Sequence, residues 1–224
     1  MAYDGIVEAG GPAQTRTTSG LDITKVSVGP MDNNAYLLRD RATGKTLLID
    51  AANEPDRLLE LCNGSLDMVL TTHCHADHWL ALEEVVSKTG AITYAAAPEV
   101  AEIPIPTHIE LQDGDEITLG ESTLEVVFLT GHRASYLDHV STSAALVYRD
   151  PDGSTHVFVG DCLFPGGVGN TCDDPAAFTQ LLNDVANRLF ARLPDDTTVY
   201  PGHGADTTLG TERPSLSEWA NRSW

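Results

Sequence analysis

Short runs of alternating and continuous apolar residues along this chain predict β-strands. Residues 21–28 and 34–40 alternate apolar with polar side chains, and a Gly-Pro-Met-Asp-Asn turn separates them. Residues 46–51 and 67–72 are short apolar runs, as expected for buried strands. Further strands are predicted by the same patterns at 92–96, 107–111, 116–120, 122–130, 145–150, 155–160 and 197–200.

Three segments between these strands have helical spacing. The first covers residues 55–64 and ends at Gly64. The second begins at Asp77, inside the histidine-rich segment that follows the strand at 67–72, and ends at Thr89-Gly90. The third begins at Asp174-Pro175, where Asp is a good N-cap and Pro fits the first helical turn, and residues 215–222 predict a short closing helix.

The mixture of buried strands, hairpins and helices predicts an α/β layered sandwich. No internal repeat and no linker-like segment is visible, so residues 21–224 are expected to form a single domain. Residues 1–20 are rich in Gly, Thr and Ala without a period, and this composition predicts a flexible N-terminal arm.

Charge and composition exclude several classes of protein. The chain has 13 Lys and Arg against 33 Asp and Glu, which gives a net charge of −20. Such a field repels phosphate backbones and anionic lipids, so neither nucleic acid nor membrane is expected as a partner. No signal segment and no long apolar stretch is visible, which predicts a cytoplasmic protein with four reduced cysteines.

A histidine cluster follows the apolar run at 67–72. His73, His75, Asp77 and His78 lie within six residues, and imidazole and carboxylate groups are ligands for zinc and iron. In an extended segment, alternation directs the rings of residues 73 and 75 to the same side. The cluster therefore predicts a metal site.

Three later strands each end in a residue of ligand type, namely His132, Asp161 and His203. Strand ends converge on one rim of a sheet, so residues distant in sequence can meet there. With the cluster they supply seven candidate ligands, which fit two metal ions better than one.

The motifs HCHADH at 73–78, TGH at 130–132, GD at 160–161 and PGHG at 201–204, in this order, resemble the metallo-β-lactamase superfamily. The resemblance covers roughly residues 21–210 and implies a four-layer αβ/βα sandwich. Segments such as GPMDNNAYLL and GDCLFPGGVGNT are further similar to glyoxalase II-like hydrolases of actinobacterial type.

The resemblance also implies a role for each candidate ligand. It places His73, His75 and His132 on a first metal ion, Asp77, His78 and His203 on a second, and Asp161 between them. Two divalent ions are implied, with zinc expected and iron or manganese as options. A hydroxide that bridges them, oriented by Asp77 as the catalytic residue, would hydrolyse a small thioester or ester-like acyl substrate.

Other functions stay open at this point. A lactone hydrolase would use the same site, a persulfide dioxygenase would hold a single iron, and a non-catalytic protein would only bind metal. Enzymes of the glyoxalase II type bind glutathione through basic residues of a C-terminal extension. Here only 21 residues follow His203 and the chain has three lysines, which favours another thiol, such as mycothiol, or a simple thioester.

The sequence departs from the superfamily pattern after the middle histidine, where GHRASYLDHVST replaces the usual tight turn. His139 is therefore a rival to His132, although the TGH context favours His132. Arg133 fits either a surface charge or a contact to a substrate carboxylate. Cys162, next to Asp161, is a possible extra ligand, whereas Cys74 is expected to pack in the core.

Overall fold

Two β-sheets pack face to face in the computed structural model, which describes residues 3–133 and 140–222. The first sheet has the strand order β1-β2-β3-β4-β5-β6-β7, antiparallel up to β4 and parallel from β4 to β7. Its strands are β1 Gln14–Thr17, β2 Leu21–Val28, β3 Asn33–Asp40, β4 Thr46–Ile49, β5 Met68–Thr71, β6 Ile92–Ala96 and β7 Ile109–Leu111.

The second sheet has the order β15-β14-β11-β10-β9-β8, in which only β11 and β14 are parallel neighbours. A separate small hairpin is formed by β12 and β13. These strands are β8 Glu116–Leu119, β9 Ser122–Thr130, β10 Thr142–Arg149, β11 Thr155–Gly160, β12 Leu163–Phe164, β13 Gly167–Val168, β14 Thr198–Pro201 and β15 Thr207–Thr208.

Helices cover the outer face of each sheet. The first sheet carries α1 and α2, and the second carries α3, which continues into a π-helical turn at Val185–Phe190, and α5. The helices are α1 Pro55–Leu61, α2 Leu82–Thr89, α3 Pro175–Asp184, α4 Leu209–Glu212 and α5 Leu216–Trp219. None of the helices in the described ranges is long and apolar enough to cross a membrane.

Strand periodicity accounts for the layers. In β10, Leu146 points into the core between the sheets, while its neighbours Ala145 and Val147 pack beneath α3. In the first sheet, Leu47 faces the central core and Leu48 faces α1 and α2. Both sheets are thus buried on two faces, and the predicted four-layer αβ/βα sandwich is confirmed.

Two local predictions need correction. Gln14–Thr17, assigned to a flexible arm, form strand β1 because their backbone pairs with β2 in antiparallel register, although no hydrophobic period marks them. The helix expected from Asp77 to Gly90 is divided into a 3₁₀ turn at Ala76–His78 and α2, which begins only at Leu82.

Candidate metal centre

The candidate ligands lie where the edges of the two sheets meet. His73 and His75 follow β5 of the first sheet, and Asp77 and His78 lie in the 3₁₀ turn. His132, Asp161 and His203 lie at or just beyond the ends of β9, β11 and β14 of the second sheet. The three ligand-type residues at strand ends thus share one rim of the second sheet, as expected, and the histidine cluster reaches them from the first sheet.

The seven residues form three overlapping groups whose donor atoms lie within 4.8 Å of one another. The groups are His73, His75 and His132; His73, His78 and Asp161; and Asp77, His78 and His203. The structure thus brings together all seven residues that the resemblance assigns to the two metal ions.

Asp161 occupies the middle of the centre. Its Oδ1 lies 3.5 Å from His78 Nε2, and its Oδ2 lies 3.5 Å from His132 Nε2 and 3.4 Å from His203 Nε2. The same Nε2 atom of His203 is also 3.3 Å from Asp77 Oδ2. One carboxylate therefore faces histidines of both outer groups, as a bridging ligand must.

The second nitrogen of each histidine ring is hydrogen-bonded outside the centre, which fixes the orientation of the ring. The remaining nitrogen of each ring then faces inward. The outer partners are Thr72 Oγ1 for His73 (3.0 Å), Ser141 Oγ for His75 (3.1 Å), Asp50 Oδ2 for His78 (2.8 Å), the Asn170 carbonyl for His132 (2.8 Å) and the Met31 carbonyl for His203 (2.9 Å).

Two buried donor atoms support occupancy by a cation. Within the described ranges, His78 Nε2 and Asp161 Oδ1 are buried and have no hydrogen-bond partner. Buried polar atoms without a partner are rare because leaving them unsatisfied is costly. A divalent ion coordinated between them would satisfy both, so the donor set fits the metals implied by the sequence.

The histidines of the centre fall into two groups, one with lowered pKa values and one with raised pKa values. Burial lowers the pKa of His73 and His132, and lowers that of His75 to about 3, so these rings are neutral and ready to coordinate metal. Burial acts in the same direction on His203, but hydrogen bonds to Asp161 and Asp77 outweigh it and raise its pKa to about 10. The pKa of His78 is likewise raised because Asp161 and Asp50 outweigh burial.

The centre opens on the side of Asp77 and His203. The His73 and His78 side chains have no exposed surface, whereas those of Asp77 and His203 are 18% and 22% exposed. Asp77 Oδ2 also accepts a hydrogen bond of 2.8 Å from Asn33 Nδ2. A small molecule would therefore approach from this side.

Sequence reasoning missed several residues that support the ligands. Asp50 accepts hydrogen bonds from the backbone N–H and the hydroxyl of Thr72 as well as contacting His78. The sequence did contain a signal for Asp50, because this residue follows an apolar strand, as the candidate ligand Asp161 does. Glu99 accepts from the backbone N–H groups of Cys74 and Thr142, and no local pattern marked it.

The structure shows the surroundings of three residues for which the sequence left two roles open. The Cys162 thiol is buried and directed at the Leu129 carbonyl, 3.7 Å away, so it is not a ligand. Arg133 forms an ion pair of 2.8 Å with Asp174. Cys74 packs in the cluster beneath α1 and α2, as expected. His139 lies outside the described residues.

Sequence comparison relates the chain to known proteins. The profile of the Metallo-beta-lactamase superfamily matches residues 28–203, which include all seven candidate ligands. A hydroxyacylglutathione hydrolase of Cereibacter sphaeroides is 32% identical over 175 residues, 77% of this chain and 62% of that protein. The chain thus spans less than two thirds of the length of this relative.

Two further similarities extend over most of both chains. Uncharacterized protein ML0493 of Mycobacterium leprae is 28% identical over 217 residues, 85% of this chain and 95% of that protein. The crystal structure of TTHA1623 in a di-iron-bound form is 31% identical with a TM-score of 0.67, and the match covers 84% of this chain and 96% of that one.

Proposed function

The chain belongs to the metallo-beta-lactamase superfamily, and on this basis we propose that it is a dinuclear metal-dependent hydrolase of small thioester or ester-like acyl compounds. The observation that carries the proposal is the carboxylate of Asp161, whose Oδ2 lies 3.5 Å from His132 Nε2 and 3.4 Å from His203 Nε2, while its Oδ1 lies 3.5 Å from His78 Nε2. Such a shared ligand is what two adjacent ions require. The di-iron form of TTHA1623 supports two ions, and the hydroxyacylglutathione hydrolases support a thioester.

Residues of this chain would hold and orient the reacting groups. Two divalent ions, when bound, activate water and polarise an acyl carbonyl. Zinc is proposed, with iron or manganese also suited to these donors. Asp77 is the proposed catalytic residue because Oδ2 lies at the open side, fixed by Asn33, where it can accept a hydrogen bond from water and orient it.

We further propose that the thiol released by hydrolysis carries no carboxylate groups. Arg133 directly follows a candidate ligand, but its guanidinium is held by Asp174 at 2.8 Å. Lys25 is fully buried in a separate ion pair. Both cations are therefore already paired with carboxylates, which favours a thiol without carboxylates over one that carries them.

The test combines elemental analysis with hydrolysis of a generic thioester, using protein purified without added metal. Two ions per chain and turnover are expected in the native protein. Asp161→Ala should lose both metal and activity, since it removes the shared ligand. His108→Ala is the matched control, because this exposed histidine is hydrogen-bonded only to Thr93 among the described residues.

Other results would contradict the proposal. A single iron with oxygen uptake would identify the dioxygenase alternative, and a single ion without turnover would identify a metal-binding protein. Hydrolysis that survives removal of all metal would exclude the centre as the active site.

A further inference from the structure

The turn that carries His203 is held from the opposite sheet. It follows β14 of the second sheet, yet the backbone N–H of Asn34 in β3 donates to the Gly202 carbonyl at 2.7 Å. The Asn34 side chain donates to the carbonyls of Pro201 and Gly204, both at 2.9 Å, and Tyr36 Oη donates to that of Pro201 at 2.7 Å. The position of His203 therefore depends on β3 as well as on β14.

A buried lysine completes this attachment. Lys25, in β2, has no exposed side-chain surface, and Nζ donates to the carbonyls of Gly5 (2.8 Å) and Gly204 (2.7 Å) and to Asp206 Oδ1 (2.6 Å). All three ammonium hydrogens are thus used. A buried ammonium is stable only with such partners, so the three acceptors are held in one arrangement around it.

The N-terminal residues belong to the same network. Tyr3 Oη donates to Asp206 Oδ2 at 2.5 Å, and the backbone N–H of Asp206 donates to the Gly5 carbonyl at 3.1 Å. Residues 3–5 therefore pack against the segment that follows His203. Residues 3–5 thus help to hold the segment that carries His203 in place.

We propose that Lys25 and Asp206 are positioning residues for the second metal ion, the one held by Asp77, His78 and His203. This inference rests on the proposed dinuclear function. Gly204, which Lys25 holds, directly follows His203, and the Met31 carbonyl that orients the His203 ring lies in the loop after β2. One hairpin thus controls both the backbone and the ring of this ligand.

The effect should be confined to the second ion. His73 and His75 follow β5 and are held by Thr72 and Ser141, while His132 follows β9 and is held by the Asn170 carbonyl. None of these contacts involves the Lys25 network. Loss of a residue that orients a ligand typically weakens metal binding by about 10–100-fold, and only the second binding step should show this loss.

The experiment is a titration of metal-free protein with Zn²⁺ in competition with a chromophoric chelator. Lys25→Met should leave the first binding step unchanged and weaken the second by about 10–100-fold. Because this variant leaves the Asp206 carboxylate buried without its cation and can fail to fold, the double variant Lys25→Met with Asp206→Asn is measured in parallel and should show the same selective loss. His203→Ala identifies the second step, since it removes a ligand of that ion.

Asp150→Asn is the matched control. Asp150 is another buried carboxylate that holds residues near the N-terminus, but its contacts are to Thr18, Ser19 and Gly20 and not to the His203 turn. It should lower stability and leave both binding steps intact. Unchanged second-step affinity in both Lys25 variants, or equal weakening of both steps, would overturn the inference. A native protein that binds only one Zn²⁺ would overturn the dinuclear proposal itself.

Discussion

At Gly202 and Gly169 the centre has no space for a side chain. A Cβ atom on Gly202 would lie 2.2 Å from Asp161 Oδ1 and 2.8 Å from His78 Cε1. A Cβ atom on Gly169 would lie 1.8 Å from the Asp161 carbonyl oxygen. These distances are far below van der Waals contact, so both glycines are needed for the close approach of backbone to the bridging carboxylate.

Gly202→Ala should therefore displace Asp161 and His78. We expect metal affinity to fall by about 10–100-fold, as when a ligand loses its support, and thioester hydrolysis to fall with it. Metal content and kcat/KM measure the two effects. Gly44→Ala is the control, because a Cβ there meets no atom within 4 Å, so any cost of its positive φ should reduce stability without reducing metal content. Native-like metal content in Gly202→Ala would contradict this prediction, because it would show that the backbone around residue 202 can move away from Asp161 and His78.

Cys74→Ser tests whether a residue between two ligands serves packing alone. Its thiol lies in the cluster beneath α1 and α2, 3.9 Å from Ser141 Oγ. The change from a thiol to a smaller, more polar hydroxyl at this buried position should lower the free energy of unfolding by about 1 kcal/mol, measured by urea denaturation. The number of metal ions per chain should stay unchanged, and loss of an ion would assign Cys74 a role in the centre.

At the scale of elements, Asp150 connects the two sheets. It lies at the end of β10 and accepts hydrogen bonds from the Gly20 backbone N–H at 2.9 Å and Tyr148 Oη at 2.8 Å, and from the hydroxyls of Thr18 and Ser19. The turn between β1 and β2 is thereby joined to the hairpin of β10 and β11. Although burial opposes it, the bonds from Ser19 and Thr18 hold the pKa of Asp150 well below its usual range.

Asp150→Asn should reduce stability at pH 7 by about 1.5–3 kcal/mol, the usual contribution of hydrogen bonds to a charged group. Because the folded-state pKa is depressed, the native advantage is present above the unfolded pKa of about 3.9 and is lost as pH falls through the folded pKa. Urea denaturation at pH 7, 5 and 3 should give similar differences at the first two values and a smaller one at the third. A difference that grows toward low pH would refute this assignment.

For the whole molecule, metal binding should be coupled to proton release. The pKa of His203 is raised to about 10 and that of His78 is also raised, so we expect both rings to carry a proton at pH 7 in metal-free protein. A metal ion can bind only after these protons leave. Affinity of the second ion should therefore increase with pH, whereas the first ion meets neutral His73 and His75.

Calorimetry at pH 7 in buffers of different ionisation enthalpy measures this release. Titration of metal-free protein with Zn²⁺ should release about two protons in the second step, one from each charged ring. His203→Ala should abolish that step. A second step that takes place without proton release would show that these histidines are neutral before metal arrives.

The strands and most helices could be predicted because alternation and helical spacing are local properties. Strand β1 could not, since Gln14–Thr17 have no hydrophobic period and are ordered by backbone pairing with β2. All seven candidate ligands were predictable because metal coordination restricts residue types. Glu99 and Lys25 were not, because a buried charge is recognised only from its partners, which are distant in sequence.

The sequence by itself determined the candidate donor set of this protein, because side-chain identity gives the seven residues and the local period of the strands places several of them at strand ends. Only the tertiary structure decided that these strand ends come from two sheets, that Asp161 stands between the histidines, and that Lys25 ties the His203 turn to β2. The physical reason is that packing between sheets and pairing of buried charges are non-local, so residues far apart in the chain determine each other's positions.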